Sequence, residues 1–342
     1  KTHITIGNAS VSTLGNSPAT VNSSGAGIGT GYASSSDANI TIERNSTVNA
    51  DGGSGAAIGS GVDAKGITGI SIKGSNVTAK ASLGTGIGSG TNSSGETTII
   101  DISGGTVTAT GGGNGYEGSA GIGAGRSSTG DTSITLRDSA IVEAFGGGTS
   151  SSYGGGGAGI GSGQSAKGDT TILIKGAKEV TATGGSSAAG IGSGSDVGYG
   201  SASSTTITIC NSDDGTVVPI IKATGGGVVD QFCSSSGAGI GAGGSTYNKT
   251  IINIPGGEIT ATGGTSYTPG NSGSRRSGAG IGSGSSVSGE TEINISDGTI
   301  KSATGGEYGG AGIGSGSYGD STDASKKGDV TINITGGTIE KA

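Results

Sequence analysis

Large apolar side chains are scarce in this sequence. Tryptophan and methionine are absent, phenylalanine occurs twice, and hydrophobic residues make up 29% of 342 positions. A layered globular core needs more than this. Histidine occurs once, as His3, which is read as an inert surface residue. With no second histidine to activate a serine, nucleophilic catalysis lacks its base, and the chain is expected not to be an enzyme. No run of basic residues occurs and the net charge is −7, which excludes the usual footprint of nucleic-acid binding. No apolar stretch approaches the ~20 residues of a membrane span. Glycine is abundant at 81 residues, but without the every-third-residue phase of collagen.

What the sequence has is a repeat. "GAGIGSG" at 278–284 recurs as "GAGIGTG" (25–31), "GAAIGSG" (55–61), "SAGIGAG" (119–125) and "GAGIGSG" (157–163 and 310–316). The bracketed isoleucines are Ile28, Ile58, Ile87, Ile122, Ile160, Ile191, Ile240, Ile281 and Ile313, spaced 30, 29, 35, 38, 31, 49, 41 and 32 residues apart. A fixed unit with loops of variable length follows.

Each unit has three strand-like pieces. The first alternates, as in "TTILIKG" (170–176), the second reads "GTVTATGG" (105–112), and the third is the glycine–isoleucine piece. Period-2 alternation places Ile172 with Ile174, Val107 with Ala109, and Ala158 with Ile160 on one face. Burying a large apolar side chain is worth roughly 1.5–3 kcal/mol, against about 1–2 kcal/mol of backbone entropy per residue. One unit alone therefore does not fold, whereas stacked units share a core. The expectation is an all-β, right-handed parallel β-solenoid (β-helix). It has three faces, about nine to ten coils at ~4.8 Å each, one coil per 30–49-residue repeat, and no helix. Residues 1–342 are read as a single repeat domain, a piece of something longer. The glycines flanking each isoleucine are expected to point outward. There they either permit tight corners or leave a flat face for another rod or polymer.

The string "GGTVTATGG…SAGIGAG…GDTSITL" over 104–136 resembles the Gly-rich "GGTxTATGG…GAGIGGG" repeats of large surface proteins from anaerobic bacteria and some archaea. That family is described as β-helical adhesins or carbohydrate-binding surface proteins. The resemblance covers nearly the whole chain, although serine stands where a third glycine is usual. It implies no catalytic residues.

Four features are candidates for chemistry. Tyr116, Tyr153, Tyr267 and Tyr308 precede the glycine–isoleucine piece, and Tyr32, Tyr199, Tyr247 and Tyr318 follow it. Two stripes of stacked loops result, able to contact sugar rings or protein. An acid precedes the first strand at Glu96, Asp131, Asp169, Glu290 and Asp329. Such an acid is a turn residue capping backbone N–H groups, with a Ca²⁺ site at Glu96, Asp131 and Asp169 as the alternative; no other metal or cofactor is expected. Cys210 and Cys233 are the only cysteines and are expected to form a disulfide in an oxidising compartment. Asn-x-Ser/Thr sequons stand at Asn8, Asn22, Asn39, Asn45, Asn76, Asn92, Asn248, Asn294 and Asn333, glycan acceptors if the source is a eukaryote.

The functional expectation is a non-enzymatic structural or adhesive rod of an extracellular surface protein. Its partners are glycans, matrix, other surface proteins or copies of itself. The alternatives are an end-to-end extracellular filament or coat subunit and a β-helix polysaccharide-active enzyme.

Overall fold

Alternation of apolar and polar residues makes strands here, and near-identical repeats let those strands pair in register. A computed structural model describes residues 1–13, 24–95, 97–114, 117–148, 155–228, 235–267, 275–317 and 328–342. The described residues are all-β, with no helix. A 16-stranded sheet collects the first and second pieces of every repeat, and a nine-stranded sheet collects the third. All pairings within both sheets are parallel and join one repeat to the next, over 29 to 49 residues in sequence for the third piece.

The register turns the repeat into columns. One runs Ile40, Ile70, Ile100, Ile134, Ile172, Ile207, Ile252, Ile293 and Ile332. A second runs Val48, Val77, Val107, Val142, Val180, Ile221, Ile259 and Ile300. The third is the bracketed isoleucines, Ile28 through Ile313. These columns form one continuous core, in which Ile122, Ile160, Ile191 and Ile240 are completely buried. Burial is shared between neighbours: Ile332 and Ile334, in a strand paired on one side, are 43% and 51% exposed.

The first two pieces are less separate than their sequences suggest. In four repeats they merge into unbroken 14-residue strands, Thr68–Ala81, Thr97–Thr110, Lys249–Thr262 and Thr291–Thr304. Left-handed glycines at the junctions, such as Gly105 (φ 79°), bend the chain while it keeps pairing with its neighbours. Elsewhere the two pieces stay apart, as in Asp131–Arg137 and Ile141–Phe145.

The third piece is tighter than a strand. Only Ile and Gly pair as strand, and the chain closes on itself around them. The amide of Ala158 donates to the carbonyl of Ser162 at 2.9 Å, and Ala279 donates to Ser283 at 3.0 Å.

The expectation that the flanking glycines face outward is wrong. They are buried against the next repeat. Gly161 has φ +140°, and a Cβ there would lie 1.8 Å from the carbonyl oxygen of Gly192. On the other side of the isoleucine, a Cβ on Gly159 would lie 2.7 Å from the Gly190 oxygen. Backbone packs on backbone along the axis, so glycine serves close stacking of repeats rather than a bare outer face.

The serine that replaces the third glycine has its own task. Side-chain oxygens of Thr30, Ser60, Ser89, Ser162, Ser193 and Ser283 accept from the amides of Gly61, Gly90, Gly125, Gly194, Gly243 and Gly316, between 2.9 and 3.3 Å. Each hydroxyl thereby pairs an amide of the following repeat, buried in every case but the half-buried Gly316. Ala124 and Ala242 occupy the same position and supply no such acceptor.

Candidate ligand-binding cleft

The chain leaves each Ile–Gly strand through a corner residue in the left-handed region. This column comprises Ala33, Asp63, Asn92, Ser127, Ser165, Asp196, Ser245 and Ser286, with φ between 49° and 58°. Short polar side chains tolerate this conformation best. Corner amides hold the column together: Ser127 donates to the Gln164 carbonyl at 2.9 Å, Ser165 to Ser195 at 3.0 Å, and Asp196 to Gly244 at 3.1 Å.

Two residues past the corner, Thr129, Lys167 and Tyr247 occupy equivalent positions. In the repeat that begins at Ile191 the corner is extended. Val197 is buried and its carbonyl accepts the Tyr247 amide at 2.9 Å. Gly198 turns at φ +81°, where a Cβ would lie 2.7 Å from the Asn248 nitrogen. This turn lifts Tyr199 out of the wall, 70% exposed, until its ring meets that of Tyr247 edge-on, with centroids 5.3 Å apart and planes at 69°.

The result is an open cleft of about 560 Å³ crossing successive repeats, lined by both tyrosines and the corner residues Ser127, Ser165 and Asp196, with Thr129 and Lys167. Burial raises the Asp196 carboxyl above its ordinary pKa, although hydrogen bonds from Gln164 and Ser195 oppose this. The Gln164 amide donates to Asp196 Oδ2 at 3.4 Å. Among the described residues Lys167 has no ion-pair partner.

A second tyrosine cluster sits on the other stripe. The antiparallel hairpin Thr265–Tyr267 and Arg275–Ser277 projects before the Ile–Gly strand and pairs Tyr267 with Arg275. Tyr267 and Tyr308 lie 6.2 Å apart, and the Arg275 guanidinium stands 5.0 Å from the Tyr308 ring centre. Of the other loop tyrosines, Tyr32 is 47% exposed, and Tyr116, Tyr153 and Tyr318 lie outside the described residues. Four of the five described tyrosines therefore associate in pairs from neighbouring repeats. Sequence placed them on two stripes but gave no sign of the Asp196 and Lys167 beside one pair or the Arg275 beside the other. The one available signal was the 49-residue spacing after Ile191.

Two of the acids before the first strand, Asp131 and Asp169, act on the next repeat, whereas Glu290 reaches back to Lys249 of the preceding one. Asp131 Oδ1 accepts the Asp169 amide at 2.9 Å, and Asp169 Oδ1 accepts the Ser204 amide at 2.7 Å and its hydroxyl at 3.1 Å. This is a capping ladder. Glu96 lies outside the described residues, and among the described residues no group of three His, Cys, Asp or Glu side chains is arranged to hold a metal.

Cys210 carries a free thiol, so the expected bridge is not seen at this end; burial raises its pKa. Cys233 lies outside the described residues.

Asn248 is corrected as a glycan acceptor: it is 2% exposed, with its amide donating to Thr205 Oγ1 at 2.8 Å. Asn294 and Asn333 belong to an amide ladder that begins at Asn253, with bonds of 3.0 and 2.8 Å. Asn8, Asn39, Asn45, Asn76 and Asn92 are exposed, and Asn22 lies outside the described residues. His3 is exposed on the first strand.

A family model described as a beta helix repeat matches residues 100–126, 172–195 and 293–317. All three matches start in one column, at Ile100, Ile172 and Ile293, and each ends just beyond an Ile–Gly strand. Each therefore runs from within a first piece through the second to the third of one unit. No curated protein matches the chain, and no solved structure does.

Proposed function

We propose that this chain is a non-enzymatic, extracellular rod of a cell-surface protein, structural and adhesive in role, which contacts glycans through its loop tyrosines. In this reading it winds as a right-handed, three-faced β-solenoid of nine to ten coils, the usual hand for parallel crossovers. The core columns support a stiff rod, because each repeat is held to the next by backbone pairing and shared burial. The extracellular placement follows from the resemblance of the repeats to surface-protein repeats.

The single observation that carries the adhesive part is the cleft at Tyr199 and Tyr247, where two rings from neighbouring repeats meet beside polar groups. Exposed aromatic faces next to convergent polar side chains are what a sugar ring requires.

The test is a glycan array probed with the labelled protein, with reducing-end release followed in parallel. The reading predicts saturable binding and no release of sugar. Release of sugar that Asp131→Asn and Asp169→Asn abolish would replace it with a polysaccharide-active enzyme. Absence of binding to every glycan, with concentration-dependent fibres instead, would replace it with a filament subunit.

A further inference from the structure

We infer that the Tyr199–Tyr247 cleft is a seat for a neutral hexopyranose unit, held by ring stacking and by a diol shared between Asp196 and Lys167. This rests on the adhesive reading above and names the ligand class for this one site.

The two rings make a corner with two apolar walls, since their planes cross at 69°. A pyranose offers a flat C–H face for one ring and an edge for the other. Tyr199 is 70% exposed and Tyr247 47%, so a sugar packing there removes apolar surface from water that the protein alone leaves wet.

The polar groups then decide which sugar. Asp196 supplies an acceptor that is partly withdrawn from water and already oriented by Gln164. Lys167 supplies a donor with no ion-pair partner among the described residues. Ser127, Thr129 and Ser165 add hydroxyls that both donate and accept. One acid and one base leave the cleft without net charge. A uronate or sulfated unit that pairs with Lys167 still holds its anion in the same cleft as Asp196, and an amino sugar that pairs with Asp196 still faces Lys167, so each gains one charge partner and keeps one like charge nearby. A neutral unit with adjacent hydroxyls gives to the carboxylate and takes from the ammonium. The volume of about 560 Å³ falls in the roughly 300–1,000 Å³ range of small-ligand sites.

The Tyr267–Tyr308 cluster is the internal control. There the Arg275 guanidinium stands over the Tyr308 ring, so a cation occupies the aromatic surface that the cleft leaves open.

The experiment is calorimetric titration of the whole chain with neutral oligohexoses and with oligouronates of equal length. It is repeated on Tyr199→Ala, Tyr247→Ala, Lys167→Ala, Asp196→Asn and Tyr308→Ala, each checked by thermal melting. Neutral oligohexoses are expected to bind the parent and Tyr308→Ala equally. They are expected to lose at least about tenfold in Tyr199→Ala and Tyr247→Ala, and less in Lys167→Ala and Asp196→Asn. Since Tyr199 is so exposed, its removal leaves the melting temperature unchanged, so a binding loss there is not a folding defect. Preference for oligouronates, or neutral binding that survives Tyr199→Ala combined with Tyr247→Ala, overturns the inference. Glycan binding lost only in Tyr308→Ala overturns it too while leaving the adhesive rod intact, whereas no glycan binding at all brings down both.

Discussion

The Ile–Gly ladder and the corner that follows it lie a few residues apart, yet they obey opposite rules. In the ladder the isoleucine and its glycines are dictated by the repeat beneath, and the position beyond is nearly so. The isoleucine fills a closed column, the glycine after it lies against the next glycine carbonyl, and the serine beyond pairs the next amide. At the corner only the backbone is dictated. The left-handed residue recurs, but its side chain is Ala, Asp, Asn or Ser, and the residue two further on is Ser, Lys, Thr, Gly or Tyr. Stacking fixes whatever touches a neighbouring repeat and frees whatever faces water, so repeat periodicity carries the fold and departures from it vary the exposed chemistry.

Substitutions test this contrast in descending order of effect. Gly161→Ala should cost at least about 3 kcal/mol, because it combines a disfavoured φ with a collision against backbone that cannot yield. Gly215→Ala is the matched control. Gly215 also has positive φ, but nothing lies within 4 Å of its Cβ position, so about 1–2 kcal/mol is expected. Equal losses by chemical denaturation would show that conformation alone, not stacking, demands the ladder glycines.

Ile160→Ala follows, with about 2–5 kcal/mol expected for a large-to-small change at a fully buried site. Hydrogen exchange should show the loosening centred on the repeats at Ile122 and Ile191, its partners in the column. Ser193→Ala is smaller, about 1–3 kcal/mol for leaving the buried Gly243 amide unpaired. Its reverse, Ala124→Ser, should stabilise by extending the hydroxyl ladder into a repeat that lacks it.

The smallest effect lies at the corner and depends on pH. Burial raises the Asp196 pKa, so the folded state favours the protonated acid. Stability tied to that preference is complete below the unfolded pKa and is lost as pH rises through the raised folded value. Asp196→Asn should therefore melt higher than the parent at pH 7, with the gap closing towards pH 3. A gap that widens on acidification would contradict the burial of this carboxylate.

Much of this was legible in the chain. The alternation in "TTILIKG" and "GTVTATGG" gave the inward residues, and Ile172, Ile174, Val107 and Ala109 are all buried. The recurrence of isoleucine at 29 to 49 residues gave the ladder. Missed were features that depend on where the neighbouring repeat sits. Glycine in "GAGIG" reads as outward if alternation is extrapolated through it, but the chain folds back within five residues, as the Ala158–Ser162 bond shows. The long strands were hidden because "SGG" at 103–105 looks like a stop. In fact its left-handed glycines keep the pairing intact. The cleft was only half legible: Tyr199 and Tyr247 fall on one stripe, but Asp196 and Lys167 join them through the register of three different repeats.

The most direct test of the stacked register is a set of spin-label distances from Thr260. In a background without cysteine, labels at Lys222, Thr78 and Asn49 stand one, five and six register steps away. At ~4.8 Å per step the last two distances should be about 24 and 29 Å. Narrow distributions that lengthen by one strand spacing per repeat are the predicted result. Distances that ignore the number of intervening repeats, or broad distributions at both pairs, would contradict the shared interior from which everything else was argued.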